Sequence, residues 1–287
     1  MKYKFIHDHR GVFHVSVMCR VLDVTTSGYY ASIDRPLSKR AEQSAEIAKE
    51  VVAVHQEFRS IYGSIKIHQE LLKRGRKVDR KTVAKFMKRA NIRSKVCRKF
   101  RVRTTDSNHA NPVASNLLDR QFEVKEINKV WGTDITYIHT AEGVLYLAGI
   151  LDLCSRRIVG WSMDSTMTAD LVINAMNMAV AARRPGPGLM HHSDRGVQYT
   201  CHRYRELLSM HGVTVSMSRK GNCYDNAVVE SFWSKLKNEM VYHHKFTTHA
   251  QARAAIFDYI EVFYNRQRSH AAIGYVSPEA FEASRSL

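Results

Sequence analysis

The sequence predicts an all-α, strongly basic N-terminal part joined to a mixed α/β domain. Three observations predict it: helical spacing of apolar residues between positions 42 and 92, three consecutive runs rich in aromatic and β-branched residues after position 129, and alternating helix and strand patterns behind them. The 287 residues exceed one modal domain and allow either one large unit or a smaller module attached to a larger core, with two domains as the starting expectation.

From Glu42 the pattern is helical. Ile47, Val51, Val54 and Phe58 follow at spacings of four, three and four, which places them on one core-facing stripe. After Tyr62-Gly63, Ser64 is the candidate cap of a second helix that carries Ile67 and Leu71 and stops at Gly75. Asp79 can cap a third, running to about Ala90, in which Val83, Phe86, Met87 and Ala90 share an apolar face while Lys81, Lys85 and Lys88 line another. Short helices with tight turns and a basic outer face suggest helix-turn-helix, with the third as recognition helix and its three lysines as DNA contacts. A solvated lysine face reads equally well for an isolated helix, but fifteen basic residues against one acid between Lys73 and Arg103 exceed what solubility needs. A smaller helix-turn-helix is expected from Val15 to Tyr30, with Ser27 as a cap. The expected divisions are 1–40 for that small segment, 41–103 for the basic helix-turn-helix domain, 104–122 for a polar linker and 123–287 for the α/β core with its C-terminal helices.

The core begins with strands at Val130–Ile138, Val144–Asp152 and Arg157–Met163. A helix at Ala169–Ala182 follows, then a strand Leu189–Ser193, a helix Tyr204–Met210 and a strand Val213–Ser218; helices at about Asn226–Tyr242 and Ala250–Tyr264 complete it.

Charge divides the chain the same way. Of the net +17, residues 1–110 carry 25 Lys and Arg against 10 Asp and Glu, whereas 111–287 carry 19 against 17. One end is built for a polyanion, and each phosphate it neutralises releases counterions that drive association. No apolar run approaches a membrane span and the first residues carry no secretory pattern, so a cytoplasmic, nucleoid-associated protein is expected. The five cysteines form no CxxC pair, which leaves a structural zinc site or disulfide framework without support. His191 and His192 precede an acid, Asp194, but strand alternation lets at most one of them face it.

Acids in the core are few. Asp134 sits inside an apolar strand, on the face of Gly132, Thr136 and Ile138, where an ionised carboxylate is costly unless a cation or donor compensates it. Asp194 ends His191-His-Ser-Asp-Arg-Gly196, where a strand meets a glycine turn; alone it reads as a turn former. Glu230 lies at the edge of the apolar stripe Val229, Phe232, Trp233, Leu236 and Met240, with Lys237 two turns further along the same helix. Asp225 is expected to cap that helix, with Asn226 able to share the duty, and Asp152 and Asp164 are expected to be structural. Three hard oxygen donors, Asp134, Asp194 and Glu230, suit Mg²⁺ and the two-ion arrangement of phosphoryl transfer.

Three blocks carry a resemblance. Trp131-Gly-Thr-Asp-Ile-Thr-Tyr137, His192-Ser-Asp-Arg-Gly196 and the segment from Ser216 through Glu230 to Phe232 resemble, in order, the acidic blocks of orfB, the catalytic frame of a two-frame bacterial insertion-sequence family; Tyr264-Asn-Arg266 and Ser277-Pro278 match its tail. The resemblance spans nearly the whole chain, and the 35 residues between Asp194 and Glu230 equal that family's signature gap. It implies a ribonuclease-H-like, retroviral-integrase-like core with a mixed five-stranded sheet and flanking helices. It also implies a DDE polynucleotidyl transferase with Asp134, Asp194 and Glu230 as catalytic metal ligands, Lys237 as a DNA contact, and two Mg²⁺ ions, with Mn²⁺ able to substitute. Implied partners are transposon-end and target DNA, further copies of the chain in a synaptic complex, and the upstream-frame (orfA) protein or a fusion with it. The alternatives are a DNA-binding regulator or inhibitory subunit without catalysis, and a ribonuclease-H-like nuclease or resolvase that only hydrolyses.

Overall fold

The computed structural model describes residues 1–33, 38–96, 112–219 and 223–285. The basic residues between 97 and 103 and the first part of the expected linker, residues 104–111, lie outside them.

Three short helices open the chain: α1 (Lys2–His9), α2 (Val15–Val21) and α3 (Thr26–Ile33). They close over a small core of their own made of Ile6, Met18, Cys19 and Tyr29. Between α2 and α3 the turn passes through Asp23, at a left-handed φ of 53° that a short polar residue tolerates. Thr25 caps α3 in place of the expected Ser27: its Oγ1 accepts from the Gly28 amide at 3.1 Å.

The second helical unit holds α4 (Lys39–Glu57), α5 (Ser64–Lys73) and α6 (Arg80–Arg89). Ser38 starts α4 by accepting from the Ala41 amide, and Asp79 starts α6 by accepting from the Thr82 amide at 3.0 Å, as its position before the apolar stripe predicts. At α5 the cap is Gly63, and Ser64 is the first helical residue. Val51, Val54, Phe58, Ile67, Leu71, Val83, Phe86 and Met87 are buried together. Lys81, Lys85 and Lys88 point outward and are exposed.

The core sheet contains β1 (Val130–Thr140), β2 (Gly143–Asp152), β3 (Ile158–Asp164), β4 (Met190–Ser193) and β5 (Thr214–Met217), ordered β3-β2-β1-β4-β5. The first three strands form an antiparallel meander, and β4 and β5 join in parallel through the crossovers made by α7 (Ala169–Arg183), α8 (Val197–Thr200) and α9 (His202–Met210). This is the mixed five-stranded sheet that the resemblance implies. Its register matters: β1 pairs with β4 only from Val130 to Gly132, so the remainder of β1 has β2 on one side and no named strand on the other.

One sheet face is covered by α7, α8 and α9, with Trp131, Ala148, Ile150 and Val159 buried beneath Leu171, Val172, Ala175 and Tyr204. The other is covered by α10 (Ala227–Glu239) and by α11 (His249–Phe257), which runs on as a wide π-helical segment, Asp258–Tyr264. Two glycines set how closely α10 approaches. A Cβ at Gly132 would stand 2.7 Å from a Val229 methyl, and one at Gly149 would stand 2.7 Å from the Trp233 ring. Only bare backbone leaves room for those side chains. The last helix, α12 (Pro278–Ala283), starts at the Ser277-Pro278 pair, with Ser277 accepting from the Ala280 amide.

The α4–α6 unit packs against the C-terminal part of the core. Phe58, Ile61 and Tyr62 belong to the same buried cluster as Tyr259, Phe263 and Tyr264, the Ser269 amide donates to the Tyr62 hydroxyl at 2.7 Å, and Arg59 pairs with Asp258 at 2.5 Å. The described end of the expected linker is also anchored: Leu118 is buried, and the Ser216 hydroxyl of β5 accepts from the Leu117 and Leu118 amides.

Candidate active site

The three acids expected from sequence come from three different elements that meet at one end of β1. Asp134 is half-buried in β1; Asp194 follows β4 directly; Glu230 lies in the first turn of α10 and is exposed. Asp134 Oδ1 accepts from the Ile135 amide at 2.8 Å and Oδ2 from the Trp233 indole at 3.1 Å. Asp194 Oδ1 accepts from the Gly196 amide at 2.9 Å, where a Cβ at residue 196 would lie 3.1 Å from that oxygen. The turn is therefore built around the carboxylate.

Charge couples Asp134 to the other two acids. Burial pushes the Asp134 carboxyl well above the ordinary carboxylate range, the negative charges of Asp194 and Glu230 push it further, and the Ile135 and Trp233 donors only partly oppose this. Charge of one sign is thus concentrated where the donors are all hard oxygens. Among the described residues no three Asp, Glu, His or Cys side chains are gathered closely enough to hold a metal ion by themselves.

Lys237 lies near them. Its ammonium sits 4.5 Å from the centroid of the Tyr137 ring; burial lowers its pKa, while the Asp134 charge raises it. Behind the site, Thr133 is held by Asn226, whose Nδ2 donates to the Thr133 carbonyl at 3.0 Å, and its hydroxyl lies 3.3 Å from the hydroxyl of Tyr199. The strand carrying Asp134 and the entry to α10 are therefore fixed to each other.

Neither neighbouring histidine joins the acids. His191 Nε2 lies 2.8 Å from the Tyr204 hydroxyl, and burial drops its pKa to about 3; His192 is held between Ser216 and Ser218. Asp225 does not cap α10. Its buried carboxylate accepts from Arg219, Arg120 and Asn116, and strong hydrogen bonds, led by Arg219, hold its pKa below the ordinary range. The positional cap is Asn226, whose side chain serves Thr133 and makes no cap bond. Asp152 is structural, as expected, accepting from the amides of Asn128, Cys154 and Ser155. Trp233, Asn226 and Tyr199 were not legible as site residues. In sequence Trp233 reads as one more member of an apolar stripe, and nothing in the spacing reveals that its indole reaches a strand 99 positions away.

Comparison with known proteins bears on the family and the fold. Models described as the integrase core domain match residues 125–223 and 211–278, and an HTH-like domain matches residues 42–100. The InsF transposase of insertion sequence IS3A from Escherichia coli K12 is 41% identical over 284 residues, covering 98% of both chains. The chain belongs to the InsF family of insertion-sequence transposases. The transposase is also 45% identical over 264 residues to a 31 kDa protein of insertion element IS600 from Shigella sonnei, covering 92% of this chain and 97% of that one. Among solved structures, the catalytic core domain of BIV integrase matches at 21% identity with a TM-score of 0.41, covering 55% of this chain and 97% of the other. As a member of this family the transposase is a polynucleotidyl transferase that binds DNA, and its integrase core implies use of a divalent metal. Among the described residues no helix is long and apolar enough to cross a membrane.

Proposed function

We propose that Asp134, Asp194 and Glu230 are the catalytic carboxylates of this transposase and hold two Mg²⁺ ions for cleavage at transposon ends and for strand transfer. The observation that carries the reading is the half-buried Asp134 carboxylate, whose charged surroundings include two further carboxylates. The donor set fits the ion. Three hard oxygen donors in an open arrangement leave positions for water and phosphate oxygens, the coordination Mg²⁺ prefers. When bound, the ions activate the attacking oxygen and stabilise the leaving one in an in-line displacement. Mn²⁺, with the same preference for oxygen, substitutes.

The chain's own residues orient the reaction. Trp233 and the Ile135 amide fix both oxygens of Asp134, the Gly196 amide fixes Asp194, and the packing of α10 on Gly132 and Gly149 sets the height of Glu230 above the strand. Lys237 presents positive charge to the phosphodiester. No protein nucleophile is required: water attacks at the transposon end to free a 3′-hydroxyl, and that hydroxyl then attacks a phosphodiester of target DNA. Lys81, Lys85 and Lys88 on α6 track the DNA backbone, since they are exposed and make no ion pair with a described residue, unlike Arg74 and Arg76, which are paired with glutamates. Two ends must be brought together, so the working form is a multimer in a synaptic complex in the cytoplasm, on the nucleoid, assisted by the upstream-frame (orfA) protein or fused to it.

The test is Mg²⁺-dependent cleavage and joining of end-labelled element DNA by the wild type and by Glu230→Gln, each alone and fused to the upstream frame. The expected result is wild-type joining that falls at least about 100-fold in the variant, beyond the usual cost of losing an outer-shell partner. Joining by Glu230→Gln at the wild-type rate removes Glu230 from the mechanism, and cleavage without joining by the wild type turns the reading toward a nuclease.

A further inference from the structure

Sheet pairing alone does not hold the two aspartates at their separation. β4 runs parallel to β1 in the register Val130↔Met190, Trp131↔His191 and Gly132↔His192, and there the ladder stops. Two further steps in that register would set Asp194 opposite Asp134, so both acids stand just past the last paired residues. Glu230 comes from a helix, outside the ladder altogether. Beyond the ladder the three elements are joined through a buried residue, Thr133, which immediately precedes Asp134.

Thr133 is 1% exposed and uses both its hydroxyl and its carbonyl. The hydroxyl donates to the Gly149 carbonyl of β2 at 3.0 Å. With its only proton given there, its oxygen is the acceptor for the Tyr199 hydroxyl, 3.3 Å away. Tyr199 is buried too, and burial together with the charges of Asp134 and Asp194 holds its pKa well above the ordinary phenol value, so it stays a donor. Its amide donates to the Gly196 carbonyl at 3.0 Å, and the Gly196 amide donates to Asp194 at 2.9 Å. On the other side the Thr133 carbonyl accepts from Asn226 Nδ2 at 3.0 Å, and Asn226 directly precedes α10, the helix of Glu230. One path of hydrogen bonds therefore leads from Thr133 to the turn of Asp194, and another to the start of α10.

The two hydroxyls are not needed to fill space. Valine and phenylalanine nearly match the shapes of threonine and tyrosine and would bury no polar group, whereas a buried hydroxyl is costly unless it is bonded. The chain instead carries two hydroxyls that satisfy each other, at the place where strand pairing no longer ties β1 to the Asp194 turn.

We infer that Thr133 and Tyr199 are positioning residues, a hydroxyl pair that sets the separation of Asp134 and Asp194 for the metal ions these acids share. The inference rests on the reading of the acids as metal ligands. Neither hydroxyl has to touch the ions or the DNA, because each acts through the backbone that carries an acid. Asn226 extends the same hub to Glu230 through the Thr133 carbonyl.

The test is Mn²⁺ titration of the full-length chain without DNA, read by the electron paramagnetic resonance signal of the free ion, beside Mg²⁺-dependent joining of element DNA. Tyr199→Phe deletes the donor and leaves the Thr133 hydroxyl bonded to Gly149. Its Mn²⁺ affinity is expected to fall roughly tenfold, the lower end of the loss for residues that orient metal ligands. The Mg²⁺ concentration for half-maximal joining should rise to match, with a smaller change in the rate at saturating Mg²⁺ and a melting temperature close to wild type. Thr133→Val should lose as much affinity, and Thr133→Ser should keep it. The double variant Thr133→Val with Tyr199→Phe should bind no more weakly than Thr133→Val alone, because both act through one bond. Full Mn²⁺ affinity in Tyr199→Phe, or equal losses in Thr133→Ser and Thr133→Val, overturns the inference. Asp134→Asn tells its failure from failure of the reading beneath it. An Asp134→Asn chain that binds Mn²⁺ as the wild type does removes Asp134 from the metal site, whereas lost binding there with full affinity in Tyr199→Phe removes only the hydroxyl pair.

Discussion

The two ends of helix α10 treat an acid in opposite ways. At its C-terminal end Glu239 is buried and fully answered: Arg268 donates to both of its oxygens, at 2.7 and 2.5 Å, and the Tyr259 hydroxyl donates at 2.8 Å. These bonds hold its pKa below the ordinary range although burial acts to raise it. At its N-terminal end the charge of Glu230 acts on Asp134, whose pKa it raises together with burial and Asp194. A carboxylate compensated within the chain belongs to the scaffold, and under the proposed function Asp134, whose neighbours add negative charge, takes a cation from outside. The same division runs through the rest of the protein. Asp225 is answered by Arg219 and Arg120, and Glu282 by Arg183 and Arg157.

The largest effect expected from this contrast is on folding. Arg268→Ala leaves Glu239 buried with the Tyr259 hydroxyl and the more distant ammonium groups of Lys66 and Lys235, and costs about 3–5 kcal/mol, the usual loss when one member of a buried pair is removed. Replacing both members with apolar residues, as in Glu239→Met with Arg268→Leu, should restore most of that stability. Denaturant unfolding of the single and double variants checks it. A double variant no more stable than the single one breaks the assignment of Glu239 to the scaffold. At the other end of the helix, Glu230→Gln should leave the unfolding midpoint close to wild type while removing activity.

A smaller effect sharpens the boundary between the two classes. Trp233 packs on Gly149 as a scaffold residue and donates to Asp134 as a site residue. Trp233→Phe keeps most of the packing and deletes the donor, so Mg²⁺-dependent joining should fall roughly 10–100-fold, as for other residues that orient a metal ligand. The Mg²⁺ concentration needed for half activity should rise as well. If stability falls while the Mg²⁺ dependence stays unchanged, Trp233 acts only through packing.

The sequence carried the sheet, its helices and the acids because each has a local signature. Asp134 breaks an apolar strand, Asp194 stands at a strand-to-glycine turn, and Glu230 edges an amphipathic stripe. What it did not carry depends on side chains that meet across the fold. Asp225 looks like a cap because it precedes a helix, yet its partners Arg120 and Asn116 lie more than a hundred positions earlier. Residues 112–122 have the polar composition of a linker, but Leu118 is buried and backbone amides there are tied to Ser216 of β5. The union of α4–α6 with the core was hidden for the same reason. Tyr62 and Ser269 are separated by 207 positions, and their hydrogen bond follows no local period.

The smallest effect is thermodynamic and follows from the sign of the Asp134 shift. Its folded-state pKa is raised above the unfolded value, so its favourable contribution is complete below the unfolded pKa and is lost as pH rises through the folded one. At neutral pH and without metal the burial of this carboxyl therefore costs stability, and Asp134→Asn should melt a few degrees above the wild type, since 1 kcal/mol moves a chain of this size by roughly 2–4 °C. Below the unfolded carboxyl pKa the two should converge. Mg²⁺ at many times its dissociation constant should raise the wild-type midpoint by mass action and leave Asp134→Asn nearly unmoved. A wild type that melts above Asp134→Asn in metal-free buffer at neutral pH would mean that this carboxylate is answered from within the chain, as Glu239 is, and the contrast between the two ends of α10 would fail at its catalytic end.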